Sequence, residues 1–237
     1  MYIVLSFFIL AFIVLIHEFG HFIMAKACKI EVEEFAIGFG LKILSFKFKK
    51  TVYSFRLIPF GGFCEFNEQS FKDSALWQKV LTILAGPVAN LILAVFVLVV
   101  YSVAFLGNGF VASFVNSIYA TLLAFVVIFQ TIFGVAETAE SSIVGPVGII
   151  ELVASSVSSG ALEVIMLMFA INISLFIMNM LPLPILDGGR LVMLGIENIM
   201  NKPISQKIEE LLMNISVALL VILVVFVTYF DLSRLLS

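Results

Sequence analysis

Val14-Leu15-Ile16-His17-Glu18-Phe19-Gly20-His21-Phe22-Ile23 sets two histidines and a glutamate inside an apolar run that extends over about residues 3–25. A bilayer takes roughly 20 apolar residues to cross. A single segment in lipid must also satisfy its own backbone hydrogen bonds, which a helix does. On that helix residues four apart share a face, so both imidazoles can reach one metal while Glu18 projects about 100° around from His17. That is the arrangement of zinc hydrolases, in which two histidines ligate and the intervening glutamate stays free as general base. His17 and His21 are the only two histidines in the chain. Three polar side chains in an apolar span cost several kcal/mol unless paired or bound to metal. The plainer reading is a polar cluster hydrogen-bonded to neighbouring helices.

The rest of the composition agrees with a membrane setting. Of 237 residues, 62% are hydrophobic and 12% charged, with a mean hydropathy of +1.19, far from a soluble domain. A net charge of -3 offers no basic surface, so no nucleic-acid partner is expected. Cys28 and Cys64 have neither metal-ligand spacing nor the density of a disulfide framework and read as reduced thiols. The first run has no basic region before it and no small-residue cleavage site, so it is expected to stay in the mature protein.

Further crossing runs lie at about 79–106, 162–181 and 211–230, giving four expected spans. A fifth apolar stretch, 114–135, is long enough to cross, but charge argues against it. Nine of the thirteen Lys and Arg residues lie between the first two spans or at their edges, three (Arg190, Lys202, Lys207) lie between the last two, and 107–160 has none. The positive-inside rule then puts 26–79 and 188–210 in the cytoplasm and both termini outside. A single crossing by 114–135 would invert Arg190, Lys202 and Lys207, so this stretch is expected to be interfacial or re-entrant.

Between the first two spans the pattern changes to alternation. Leu44, Phe46, Phe48, Tyr53, Phe55 and Leu57 fall on apolar phases around Lys49-Lys50-Thr51, which predicts a β-hairpin over about 43–58 lying against the membrane. Glycines at 38, 40, 61 and 62 bracket it. The fold class expected is therefore all-α integral membrane: four transmembrane helices, a cytoplasmic membrane-associated hairpin and one interfacial or re-entrant helix, in a single domain over 1–237.

A catalytic zinc keeps three protein ligands and one open position. At 1.5 Å per residue, His21 and His17 lie roughly 8 and 14 Å along the helix from Lys26, just below the cytoplasmic surface. The third ligand should sit at similar depth. Asp187 is the candidate, just past the third span in Asn179-Met-Leu-Pro-Leu-Pro-Ile-Leu-Asp187-Gly-Gly-Arg190. Pro182 and Pro184 interrupt the helix there, and Gly188-Gly189 permit close backbone approach. Taken alone, Asp187 could equally be a loop aspartate capping the next helix.

His-Glu-Phe-Gly-His followed in order by Phe35-Ala36-Ile37-Gly38-Phe39-Gly40, Ala85-Gly86-Pro87-Val88-Ala89-Asn90, Gly145-Pro146-Val147-Gly148 and Asn179 through Gly189 resembles the site-2 protease family. Its bacterial regulator-of-sigma-E protease branch is the most similar. The resemblance implies an intramembrane metalloprotease of the bacterial inner membrane, with one Zn2+ per chain. Its substrates would be single-span membrane proteins, often an anti-sigma factor or a remnant signal peptide. His17, His21 and Asp187 match the metal positions and Glu18 the base. Asn179 matches an asparagine that steadies substrate or transition state, and Asn90 ends a motif that lies near the site. Gly38 and Gly40, with Phe55, Arg56 and Leu57 of the hairpin, match substrate-handling elements. One departure stands out: the periplasmic PDZ module of that branch has no room in 107–113, so its role would fall to a membrane or periplasmic adaptor. No CBS domain is expected either.

Two other classes compete. A metal-ion transporter predicts further polar residues along a path and repeated halves, and neither is visible. An inactive zinc-bound membrane adaptor would tolerate loss of Glu18, whereas every expected catalytic position is filled.

Overall fold

Long apolar runs become helices, and the charged stretch between the first two becomes a sheet. The structure, a computed structural model, describes residues 2–132 and 146–236. In chain order it has α1 (Tyr2–Ala27), β1 (Val32–Phe48), β2 (Thr51–Phe66), α2 (Glu68–Asp73), α3 (Leu76–Leu106), α4 (Phe110–Ile132), α5 (Pro146–Ser159), α6 (Ala161–Asn179), α7 (Asp187–Met200) and α8 (Gln206–Leu236). The architecture is mostly helical with one small sheet.

Among the described residues, five helices are long and apolar enough to cross a membrane: Phe7–Ala27, Leu76–Leu106, Phe110–Gln130, Ala161–Asn179 and Gln206–Tyr229. Four coincide with the expected spans. The fifth is α4, so length and composition yield one candidate more than the four expected. Its helix starts at Phe110, and the expected positions 133–135, like Gly145, lie outside the described residues. After the three-residue link Gly107-Asn108-Gly109, α4 runs back along α3. Phe110, Phe114 and Ile118 share an apolar cleft with α3 residues between Leu91 and Ala104. Farther on, Phe125 and Ile128 pack with Leu91 of α3 and Phe169 and Phe176 of α6 against the buried Ala94, Ile173 and Ile177.

The sheet is longer and more folded than the hairpin over 43–58. At its tip the register is that of a hairpin, Phe48 with Thr51 through Lys42 with Arg56. The first half of β1 then pairs twice. Residues 34–37 match 52–55 of β2, and the same residues match 62–65, where the register is antiparallel. With both sides of 34–37 filled, 62–66 is left as one edge and 42–48 as the other. Gly38 and Gly40 in β1 and Gly61 in β2 have φ between +82° and +87°, a region open to glycine, and allow each strand to bend where its partner changes. The root of the sheet is anchored to α1 by a core of Ala25, Cys28, Ile30 and Val32, closed by Phe22, Cys64, Phe66 and Phe71. That core sets the 62–66 edge beside the polar turn of α1.

Candidate metal centre

One turn of α1 brings His17 and His21 onto the same face, and both are buried. Asp187 meets them as the first residue of α7, itself only 8% exposed. Its position depends on the glycines that follow. A Cβ at Gly188 would lie 2.4 Å from the Met180 carbonyl, and one at Gly189 2.0 Å from the Leu183 carbonyl, so only glycines allow α7 to start tight against the 180–184 turn. His21 needs a similar concession from α3: a Cβ at Gly86 would lie 2.2 Å from Nε2 of His21.

The three donor atoms form a small triangle. Nε2 of His17 lies 3.1 Å from Oδ2 of Asp187, Nε2 of His21 lies 3.3 Å from the same oxygen, and the two Nε2 atoms are 3.2 Å apart. The ring Nδ1 of His21 lies 2.8 Å from the Thr82 carbonyl oxygen, which can only accept, so Nδ1 carries a proton and, in the neutral ring, Nε2 presents a bare lone pair. Oδ2 of Asp187 is buried without a hydrogen-bond partner. With both rings neutral and protonated on Nδ1, three lone pairs aim at one point and repel each other unless a cation lies between them. Tetrahedral Zn2+ with N and O ligands at roughly 2.0–2.1 Å requires ligand atoms about 3.3 Å apart. The triangle fits that ion, and among the described residues His17, His21 and Asp187 are the group able to hold one.

Asn90 of α3 lies behind His17, its Nδ2 3.3 Å from the ring Nδ1, while its Oδ1 is buried and unpartnered. A histidine that ligates through Nε2 carries its proton on Nδ1, so a half-turn of the carboxamide lets Oδ1 accept that proton and satisfies both groups. Asn90 thus bears on the orientation of His17, and it does not line the cavity in front of the triangle.

That cavity, about 200 Å³, is lined by the triangle together with Glu18, Asn179, Arg190, Ile83, Ile185 and three residues of the sheet edge, Phe63, Cys64 and Phe66. Glu18 lines it without joining the triangle, beside the sheet edge at Gly62 and Cys64. Asn179 donates from Nδ2 to the Leu175 carbonyl one turn back, 3.0 Å away, leaving its carbonyl oxygen and a second N–H toward the cavity. Burial, then the nearby Glu18 charge, push the Cys64 thiol up, so it stays neutral there.

The sequence model of Peptidase family M50 matches residues 5–223. This chain belongs to that family. Zinc metalloprotease RasP of Bacillus licheniformis is 25% identical over 412 aligned positions, covering 96% of this chain and 98% of that protein. Shorter matches are stronger: a protein of Clostridium acetobutylicum named "putative zinc metalloprotease" is 43% identical over 96 residues, 36% of this chain and 28% of its own length. A protein of the same name from Clostridium perfringens is 35% identical over 126 residues, 50% of this chain and 37% of its own length. These matches thus span well under half of those relatives. The alignment with RasP runs far beyond 237 positions, so that M50 relative carries long segments that this chain does not.

Against the family reading, the sequence-derived site residues fall into two groups. His17, Glu18, His21, Asp187 and Asn179 meet in one cavity, with Asn90 behind it. Gly38, Gly40, Phe55, Arg56 and Leu57 do not line it. Arg56 donates from one terminal nitrogen to Oε1 of Glu34 at 2.7 Å and from the other to the Gly40 carbonyl at 3.0 Å. It also stacks 4.8 Å from the centre of the Phe63 ring, so it reaches the cavity only through that wall. Phe63, Cys64, Phe66 and Thr82 were not legible in the sequence. Thr82 acts through a main-chain carbonyl, which no residue type announces, and the others sit on the half of β2 that doubles back.

Proposed function

We propose that this chain is an intramembrane zinc endopeptidase that hydrolyses peptide bonds within transmembrane helices of single-span substrate proteins, such as an anti-sigma factor or a remnant signal peptide. The observation that carries the reading is the triangle of potential ligand atoms of His17, His21 and Asp187 at 3.1–3.3 Å, opening onto a cavity that Glu18 lines beside them. Membership of the M50 family and the zinc metalloprotease names of its relatives support it. His17, His21 and Asp187 would hold one Zn2+. Bound there, zinc supplies a Lewis acid that polarises a carbonyl and brings the pKa of water to near 7.

Glu18 takes a proton from the attacking water as its oxygen bonds to the scissile carbonyl carbon, and returns a proton to the nitrogen as the C–N bond breaks. Asn179 hydrogen-bonds the substrate backbone or the oxygen on which charge develops. A substrate helix must unwind first, because its own hydrogen bonds shield its carbonyls. The edge strand 62–66 offers the replacement partner. Pairing with it keeps the extended substrate's main chain satisfied, and this edge, unlike the hairpin tip around Phe55 and Leu57, borders Glu18. The role of Gly38, Gly40 and Arg56 is then to shape the sheet that presents that edge.

The topology follows charge and packing. The chain is multi-pass in a bacterial plasma membrane, with both termini outside and the site near the cytoplasmic face. Because α4 runs back down α3 and 107–160 lacks basic residues, α4 and α5 together make a re-entrant excursion from the outer side, which keeps four full crossings and leaves 188–210 cytoplasmic. With α3 and α4 joined by three residues, no PDZ module filters substrates between them. Selection then rests on substrate helix instability or on an adaptor protein.

The test is reconstitution of the purified chain with a single-span test substrate. Wild type cleaves it, and Glu18→Gln does not while keeping its zinc. Full cleavage by Glu18→Gln would end the hydrolase reading.

A further inference from the structure

α7 is amphipathic, and its apolar side is open. Val192, Ile196, Ile199 and Met200 are 46%, 42%, 81% and 59% exposed. At 100° per residue they form one stripe, and Arg190, Glu197, Asn198 and Asn201 fall on the opposite side. Both ends of the helix are tied to candidate spans. Residues 180–186 join it to the end of α6, and 201–205 join it to the start of α8. A helix of 14 residues is about 21 Å long. Held at both ends by spans that finish on one side of the membrane, it has no route away from that surface. Asn201, at φ 49°, closes α7 in the left-handed region and turns the chain back toward α8. Lys202 and Lys207 follow the helix, where anionic headgroups would attract them.

We propose that the Val192–Met200 stripe of α7 is a lipid-binding surface, and that its seating in the cytoplasmic leaflet fixes the depth of Asp187. The link is direct, since Asp187 is the first residue of the helix and Gly188 and Gly189 are buried with it. The bilayer thereby acts as a wall of the metal centre. The helix is a rigid lever, with the ligand at one end and a greasy stripe over the following turns. This inference rests on the multi-pass reading above.

The experiment places nitroxide labels, one at a time, at Ile199→Cys, Asn198→Cys and Ile222→Cys in the full chain with Cys28 and Cys64 replaced by alanine. The protein is reconstituted in vesicles of phosphatidylcholine and phosphatidylglycerol without substrate. The expected result is that labels at 199 and 222 collide with oxygen and are shielded from a water-soluble nickel chelate, with the reverse at 198. A label at 199 as nickel-accessible as that at 198, with 222 still in lipid, overturns this proposal alone. A water-exposed label at 222 overturns the membrane reading with it. For the link to Asp187, the double variant Ile196→Glu/Ile199→Glu should bind zinc roughly tenfold more weakly, and Ile196→Val/Ile199→Leu should bind as wild type. Equal zinc affinity in all three would refute the link, whatever the labels report.

Discussion

His17 has its ligating nitrogen in front and Asn90 behind, which makes a single side chain testable. Removing that partner in Asn90→Ala should weaken zinc binding by about 10–100-fold, measured by chelator competition. Asn90→Asp, which keeps an acceptor, should lose less. Equal affinity in Asn90→Ala would mean the carboxamide is packing alone. Gly86→Ala should be worse than helix propensity suggests. Alanine is favoured over glycine in a helix by about 1 kcal/mol, yet the added methyl would overlap the His21 ring. The variant should show lowered thermal stability and lost zinc; a gain in stability with zinc retained would contradict the placement of that ring. At this scale the sequence was informative where chemistry rides on side-chain type and helical spacing, as for His17, Glu18 and His21. Asp187 was legible through depth, because two spans reach the same surface there. Thr82 contributes a main-chain carbonyl and Cys64 sits on the half of β2 that doubles back, and spacing arguments are blind to both.

Among the elements, the sheet depends on one buried carboxylate. Glu34 accepts from Lys42 at 2.7 Å, Ser54 at 2.5 Å and Arg56 at 2.7 Å, and so ties the first half of β1 to the bend at Gly40 and to the middle of β2. Burial opposes its charge, but these three donors prevail and hold its carboxyl at about 2. With a folded value below the ordinary 4.5, the ionised group adds stability above that pH, and the contribution is lost as pH falls toward about 2. Amide hydrogen exchange over 38–42 should therefore quicken across that window, beyond the intrinsic pH trend, in wild type. In Glu34→Gln it should already be fast at pH 7 and show no such excess. Indistinguishable protection in the two proteins would show that the clamp is idle. Alternation revealed the tip of this sheet, since its side chains are half in and half out. The return strand 62–66 escaped notice: Gly62-Phe63-Cys64-Glu65-Phe66 starts with glycine, and its pairing partners, from Ile37 back to Val32, are far away in the chain. Contacts at that separation leave no local periodicity.

For the whole molecule, hydropathy was enough to mark the candidate spans, and the basic residues carry the proposed sidedness, because lipid and membrane potential act on the chain residue by residue. The depth of α4 was not legible. An apolar helix of that length reads alike whether it crosses, lies flat or dips; its packing against Ala94, Ile173 and Ile177 fits crossing and dipping alike, and sidedness separates those two. The re-entrant reading makes a prediction about sidedness. In a cysteine-free background, Ser158→Cys should react with an impermeant maleimide only from outside, and Lys202→Cys only from inside. Labelling of position 158 from the cytoplasmic side would make α4 a full crossing and would invert everything after it.

The central claim is that the lone pairs of His17, His21 and Asp187 enclose one zinc ion, and X-ray absorption at the zinc edge of the purified chain tests it most directly. The account predicts one zinc with a nitrogen and oxygen shell at roughly 2.0–2.1 Å, two imidazole scattering patterns, and loss of the ion in Asp187→Asn. A sulfur shell near 2.3 Å, bringing in Cys64 from the cavity wall, or full zinc occupancy in Asp187→Asn, would contradict it.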